Sequence, residues 1–221
     1  GIKVRVSGDL RANINLMDET GDMLQDTVRL GEKAGDGGEL VTDAGKIING
    51  NINVQSVSVL KETETFIDYI NQAGEKIRIN KQSNKSILDS ISQKLTSPNI
   101  GTRIEASVAD YINQNTNATI TDFANKIRNA TGNTIGDIDC ATMNEIIEVK
   151  KSIASVKIEQ LEKYINIENT NYFNVSNKTV ILYIDDPVDL SNINNINKLN
   201  SIKEKGIIVV NSLEELKGVI Q

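Results

Sequence analysis

The stretch that decides the fold is residues 134–150, TIGDIDCATMNEIIEVK. Two strand-like runs, 134–142 and 145–150, flank Met143-Asn144, and the spacing predicts a hairpin. Alternate side chains of a strand share a face. Glu148 and Lys150 therefore point one way on the second strand, and Asp137 and Asp139 share a face of the first. Laid side by side, the two strands bring Asp139, Glu148 and Lys150 to one point on a sheet.

Outward from this hairpin the pattern stays regular. Gly101–Gln114 reads as a helix with Ile104, Val108 and Ile112 on one face. Residues 119–128 read as a strand, and Thr131-Gly132-Asn133 as a turn. After the hairpin come a helix over Ser155–Ile167, a buried-type strand over Lys178–Ile184 and a helix over 198–205. Gly206–Val210 is a further buried strand, and Ser212 caps a last helix over 213–220. A meander of strands that then alternates with helices predicts an α/β fold, a mixed central sheet flanked by helices.

The leading part is less patterned. Residues 1–35 combine an apolar-alternating start (Ile2, Val4, Val6) with a stretch from Leu16 to Leu30 at roughly helical spacing. Gly35–Gly38 is a break, and Asn49-Gly50 a turn signal. Residues 60–95 read as one or two amphipathic helices, with Phe66, Ile67, Tyr69 and Ile70, then Ile87, Leu88, Ile91 and Leu95 as the apolar positions. Proline disfavours helix in the residue before it, so Thr96–Asn99 marks a boundary. The expected plan is a mainly helical delivery, translocation or linker region over 1–98 and a catalytic domain over 99–221.

Composition narrows the chemistry. The 221 residues include no His and no Trp, one Cys and two Pro, with 30 acidic against 24 basic side chains. Without an imidazole, Ser-His-Asp hydrolysis, Cys-His proteolysis and His-based nuclease mechanisms are excluded. Cys140 alone makes neither an intramolecular disulfide nor a Cys-rich zinc site. Any metal must be held by oxygen, which favours Mg²⁺ or Mn²⁺. The net charge of −6 argues against coating nucleic acid through bulk charge, though not against local basic groups. No apolar run is long enough to span a bilayer. No charged start followed by an apolar block marks a signal peptide, and Gly1 leaves room for an upstream signal.

Two carboxylates about 4 Å apart repel by roughly 4 kcal/mol at an intermediate dielectric. A divalent cation removes that penalty and turns the pair into ligands, while Lys150 can orient or deprotonate a neighbouring water and help neutralise phosphate charge. Phosphodiester hydrolysis fits this set without histidine. Taken alone, Asp…Glu-x-Lys equally fits an ion pair on a solvated strand.

The Asp139, then Glu148-Val-Lys150 pattern, embedded as GDID…IEVK, resembles the PD-(D/E)xK superfamily of restriction-endonuclease-like nucleases. The resemblance implies metal binding by Asp139 and Glu148 and a water-assisting role for Lys150. It implies a third ligand in Glu105, on the helix that opens this half. Gln160-Leu-Glu-Lys-Tyr164 matches the Gln-x-x-x-Tyr of a subset of that superfamily, and i and i+4 share a helix face. The literal Pro-Asp is absent: Ile138 precedes the Asp and Cys140 follows it. Residues 100–221 also resemble the C-terminal toxin domains of contact-dependent growth inhibition proteins and related bacterial polymorphic toxins. That resemblance implies a tRNA-cleaving enzyme, delivered as part of a secreted or cell-surface protein, acting in the target-cell cytoplasm and neutralised by a cognate immunity protein. It leaves open an activating host factor. DNA cleavage by the same fold, or a non-catalytic interaction module, are the alternatives.

Other residues carry a plain reading beside the functional one. Glu105 could pair with Arg103. Gln160 and Tyr164 could be a surface amide and a half-buried ring. Lys151 and Lys157 could contact phosphate or be ordinary exposed lysines. Ser152 and Ser155 read as the start of the next helix, Asp137 as a neighbour of the site, Cys140 as a small buried residue and Asp185-Asp186-Pro187 as a strand-ending turn.

Overall fold

The computed structural model describes residues 57–221 in full and, before them, the backbone of four short strands. Leu10–Met17 (β1) pairs antiparallel with Met23–Leu30 (β2), and Leu40–Val41 (β3) with Ile47–Ile48 (β4). Of the stretch from Leu16 to Leu30 expected at helical spacing, Leu16, Met17 and Met23–Leu30 lie in β1 and β2 and the rest lies outside the described residues, as does the Asn49-Gly50 turn.

From residue 57 onward the chain builds one eight-stranded mixed sheet. Its strands are Ser58–Glu62 (β5), Phe66–Ile70 (β6), Lys76–Asn80 (β7), Ile120–Asn129 (β8), Thr134–Thr142 (β9), Glu145–Lys150 (β10), Thr179–Ile184 (β11) and Ile208–Val210 (β12). Across the sheet the order is β12-β11-β10-β9-β8-β7-β6-β5. Neighbours from β5 to β10 are antiparallel, and β10, β11 and β12 run parallel. The expected hairpin is present, with Ala141 opposite Ile146 and Cys140 opposite Ile147.

Five helices complete the fold: Asn84–Lys94 (α1), Ile100–Asn115 (α2), Ile158–Ile165 (α3), Ile193–Lys203 (α4) and Leu213–Val219 (α5). Ser83, Asn99, Asn192 and Ser212 cap α1, α2, α4 and α5 with a side-chain oxygen on a first-turn amide, satisfying donors the helix cannot reach. One face of the sheet buries Ile147, Val149, Ile181 and Tyr183 against Ile91 of α1, Ile104 and Ile112 of α2 and Leu216 of α5. The other face buries Ile146, Leu182 and Ile184 against Leu161 and Tyr164 of α3 and Leu199 and Ile202 of α4. A sheet covered on both faces explains why β11 reads as a nearly unbroken apolar run.

Two expectations need correction. Of residues 60–95, expected to be helical, those up to Asn80 belong to the strands β5, β6 and β7 and the turns between them. Lys76-Ile-Arg-Ile-Asn80 alternates strictly, with Ile77 and Ile79 buried, and that period of two decides for strand. Gly74, at φ +78°, makes the tight turn between β6 and β7 that a side chain would strain. Helix is confined to α1. Nor does Pro98 separate two sheets. Arg78 of β7 pairs with Arg128 of β8, and Ile87 and Ile91 of α1 share a core with α2, so residues 57–98 belong to the same body as the second half. Smaller shifts follow the caps: α4 begins at Ile193, five residues before the expected start, because Asn192 caps it there.

Candidate metal and phosphate site at a fork in the sheet

β9 and β10 pair only at Ala141–Ile146 and Cys140–Ile147, then part. One residue further the Asp139 side chain replaces the lost ladder bond: its Oδ2 accepts the Val149 amide at 2.8 Å. On the other side of β9, the pairs Phe123–Cys140 and Asn125–Ile138 place Ala124 opposite Asp139. Ala124 has φ +48°, a left-handed conformation that costs a non-glycine residue about 1 kcal/mol or more. Neighbouring amides hold this kink. Gln82 takes both backbone groups of Phe123, accepting from its N–H at 2.7 Å and donating to its C=O at 3.0 Å, and Asn125 donates to Asn80 O and Asp122 Oδ1. The sheet is therefore bent and opened where the expected site lies.

Asp139, Glu148 and Lys150 meet in this fork. Asp139 is 4% exposed and Glu148 fully buried. The Lys150 ammonium donates to Glu148 Oε1 and to the Val149 carbonyl, and its Nζ lies 3.7 Å from Asp139 Oδ2. Tyr164, reaching up from α3, donates its phenol to Glu148 Oε2 and lies 2.9 Å from the Asp137 carbonyl. Each Glu148 oxygen thus has a fixed partner, and the carboxylate is oriented from both sides. Burial, and then the charge of Glu148, pushes the Tyr164 phenol well above its ordinary value, so it is a donor at any physiological pH.

Glu105 projects from α2 and is part-buried, with no hydrogen bond or ion pair to it among the described residues. It does not pair with Arg103, whose guanidinium donates to the carbonyls of Ser97 and Pro98. Burial raises the Glu105 carboxyl; Lys94 and Lys150 pull it down, while Asp137 and Glu148 raise it. Burial likewise holds the Asp139 carboxyl well above the usual range, helped by Glu148 and Glu105 and opposed by Lys150 and the Val149 amide. Burial works against the Lys150 ammonium, but Glu148, Asp139 and Glu105 outweigh it and keep it protonated. Three carboxylates act on one ammonium, and the deficit is one of positive charge.

Beside the fork opens a cleft of about 270 Å³ lined by Asp137, Lys157, Gln160, Lys163, Tyr164 and Phe173. Gln160, Tyr164 and Lys157 are thus brought together there. Lys151 is not: it lies half-exposed, 3.4 Å from Asp186. The Asp185 and Asp186 amides donate across to the Lys150 and Lys151 carbonyls, carrying the β10–β11 ladder past Ile184, and the chain bends at Asp186. Ser155 bonds to Ser152 O within a 3-10 turn over Ile153–Ser155, and Cys140 is fully buried.

Sequence reasoning missed Gly136 and Phe173. A Cβ on Gly136 would sit 2.5 Å from Phe173 Cε1, so the bare glycine is what lets Phe173 seat. Phe173 then meets the Tyr164 ring edge-on at 5.0 Å. The glycine in Gly-Asp-Ile-Asp was visible; its distant partner was not.

Among the described residues no three Asp, Glu, His or Cys side chains converge closely enough to form a metal cage. The donors present still suit a hard cation by chemistry: buried carboxylates in charge excess, with no hydrogen bond to Asp139 Oδ1 or to Glu105. No family model, no curated protein and no solved structure matches the chain.

Proposed function

We propose that the chain carries a metal-dependent nuclease of restriction-endonuclease-like architecture, acting as a bacterial toxin on tRNA and neutralised by a cognate immunity protein. The observation that carries the reading is the meeting of Asp139, Glu148 and Lys150 at a fork in the sheet, with Tyr164 fixing Glu148 from behind. A structural ion pair needs neither an opened ladder nor an excess of buried negative charge.

Asp139, Glu148 and Glu105 would hold Mg²⁺, with Mn²⁺ as a substitute, once the ion draws them closer together than they stand here. When bound, the cation supplies charge neutralisation at the scissile phosphate and an acidified water. The chain's own residues do the rest. Lys150 Nζ orients the attacking water and donates to a non-bridging phosphate oxygen. The water oxygen bonds to phosphorus as its proton passes to bulk solvent, the bond to the leaving oxygen breaks, and that oxygen takes up a proton from solvent. Lys157 and Gln160, on the cleft wall, are placed to hold flanking phosphate and sugar groups. Tyr164 keeps Glu148 turned toward the fork.

No helix among the described residues is long and apolar enough to cross a membrane. Delivery as part of a larger surface or secreted protein, action in the target-cell cytoplasm, and any activating host factor come from the resemblance of the second half to polymorphic toxins.

The experiment is direct. Purified chain with Mg²⁺ is given deacylated tRNA and, separately, plasmid DNA. Cleavage of tRNA that EDTA abolishes is the expected result. Cleavage of the plasmid with intact tRNA would move the assignment to a DNA endonuclease of the same fold. No cleavage of either, with no toxicity on expression, overturns the enzymatic reading.

A further inference from the structure

The core that packs under α1, α2 and α5 takes no residue from β5, β6 or β7, so among the described residues this face of the sheet carries no helix-covered core at that end. Lys61, Lys76, Arg78, Lys126 and Arg128 occupy it instead, all of them exposed. The strand registers place them in order. Lys61 pairs with Asp68, Asp68 with Arg78, Arg78 with Arg128, and Lys126 with Asp137. One buried carboxylate, Asp68, receives Lys76 at 2.8 Å and Arg78 at 2.6 Å and fixes both against the sheet. Five cations therefore share this end of the sheet with two carboxylates, the buried Asp68 and Asp137 across from Lys126, in a chain whose net charge is −6.

We propose that this basic band is the track along which the phosphate backbone of the RNA substrate reaches the fork, an inference that rests on the nuclease reading and extends it. Charge complementarity selects the occupant: a chain of net charge −6 repels a polyanion, and this cation-rich end of the sheet attracts one. From β5 to β8 the band crosses three strand spacings, about 14 Å, room for two or three phosphates. The Arg78 guanidinium lies 3.9 Å over the Phe66 ring and Lys61 5.7 Å from it, so cations and a ring are offered together, as single-stranded RNA prefers. The band also leads to the right place. Lys126 stands across from Asp137, and Asp137, like Lys94 at the end of α1, acts on Glu105 at the fork.

The test measures binding without cleavage. The full chain in EDTA is titrated into fluorescently labelled deacylated tRNA, and the dissociation constant is followed against salt. Lys126→Glu with Arg128→Glu should weaken binding at least about tenfold near 0.1 M salt and lower the slope of log K against log salt by about 1.5. Lys203→Glu with Lys217→Glu changes net charge equally on exposed helix positions away from the band and should alter binding less than about twofold. Should charge reversal disturb folding, Lys126→Gln with Arg128→Gln, a milder pair, must still weaken binding several-fold. Equal affinity and slope for the band and control variants overturns the track, as does loss of an acidic protein partner with tRNA binding intact. Failure of the nuclease reading looks different: band-dependent tRNA binding persists, while Mg²⁺ brings no cleavage of any nucleic acid.

Discussion

Two carboxylate clusters lie within the same sheet, both nearly out of contact with solvent but Asp68 just beneath the exposed Lys76 and Arg78 and Asp139 deep in the fold, and they behave in opposite ways. Asp68 is 2% exposed and Asp139 is 4%. Arg78, hydrogen-bonded to Asp68, outweighs the cost of burial with the help of Lys76 and brings its pKa down to about 2. At Asp139 burial dominates, Glu148 and Glu105 add to it, and Lys150 with one amide does not compensate. Two cations to one carboxylate make a finished ion pair. Lys150 among three carboxylates, with Lys94 reaching only Glu105, makes a site that lacks positive charge. Burial alone therefore does not mark a functional carboxylate; the local charge count does.

The largest test of this contrast is catalytic. Lys150→Ala or Asp139→Ala should lower tRNA cleavage by about a hundredfold or more, since each removes a group that would act on the reacting atoms. Retained turnover in both would erase the distinction between the clusters. Next comes the cation itself. Mg²⁺ at a hundred times its dissociation constant should stabilise the folded chain by about 2.7 kcal/mol, read as a rise in melting temperature. The rise should vanish in Asp139→Asn and persist in Asp68→Asn. A smaller effect is expected from the support behind the site. Gly136→Ala drives a methyl group into Phe173, and overpacking of this kind costs about 1–3 kcal/mol. Because Phe173 props Tyr164, and Tyr164 holds Glu148, the Mg²⁺ dependence of cleavage should shift as well as the melting point.

The same contrast bounds what the chain's pattern could show. The hairpin, the parallel strands after it and the shared face of Glu148 and Lys150 were legible because a two-residue period and a tight turn are local signals. The strands β6 and β7 were misjudged: Phe66-Ile-Asp-Tyr-Ile70 is a short apolar run that fits helix or strand, and the alternation in 76–80 was outweighed by its neighbours. Without those strands the basic band could not be seen, since Lys61, Arg78 and Arg128 come together only through long-range register. The left-handed Ala124 had no signal at all. Alanine avoids that conformation, and only tertiary bonds from Gln82 and Asn125 keep it there.

The last and smallest expected effect is on stability against pH, where the two clusters should pull in opposite directions. Asp68 has a folded-state pKa of about 2 against an ordinary 3.8. The unfolded chain therefore takes up its proton first, and the stabilisation is present above about pH 4 and lost as pH falls toward 2. Asp68→Asn should lower the melting temperature at neutral pH, and the difference from wild type should close on acidification. Asp139 is raised, so the native state holds a proton that the unfolded chain releases. Its burial penalises folding increasingly as pH rises above the ordinary carboxylate range. In EDTA, Asp139→Asn should therefore melt higher than wild type at neutral pH, because the amide can keep the Val149 bond through its oxygen without the charge. If both variants shift the same way, the clusters are alike, and the fork holds an ordinary ion pair.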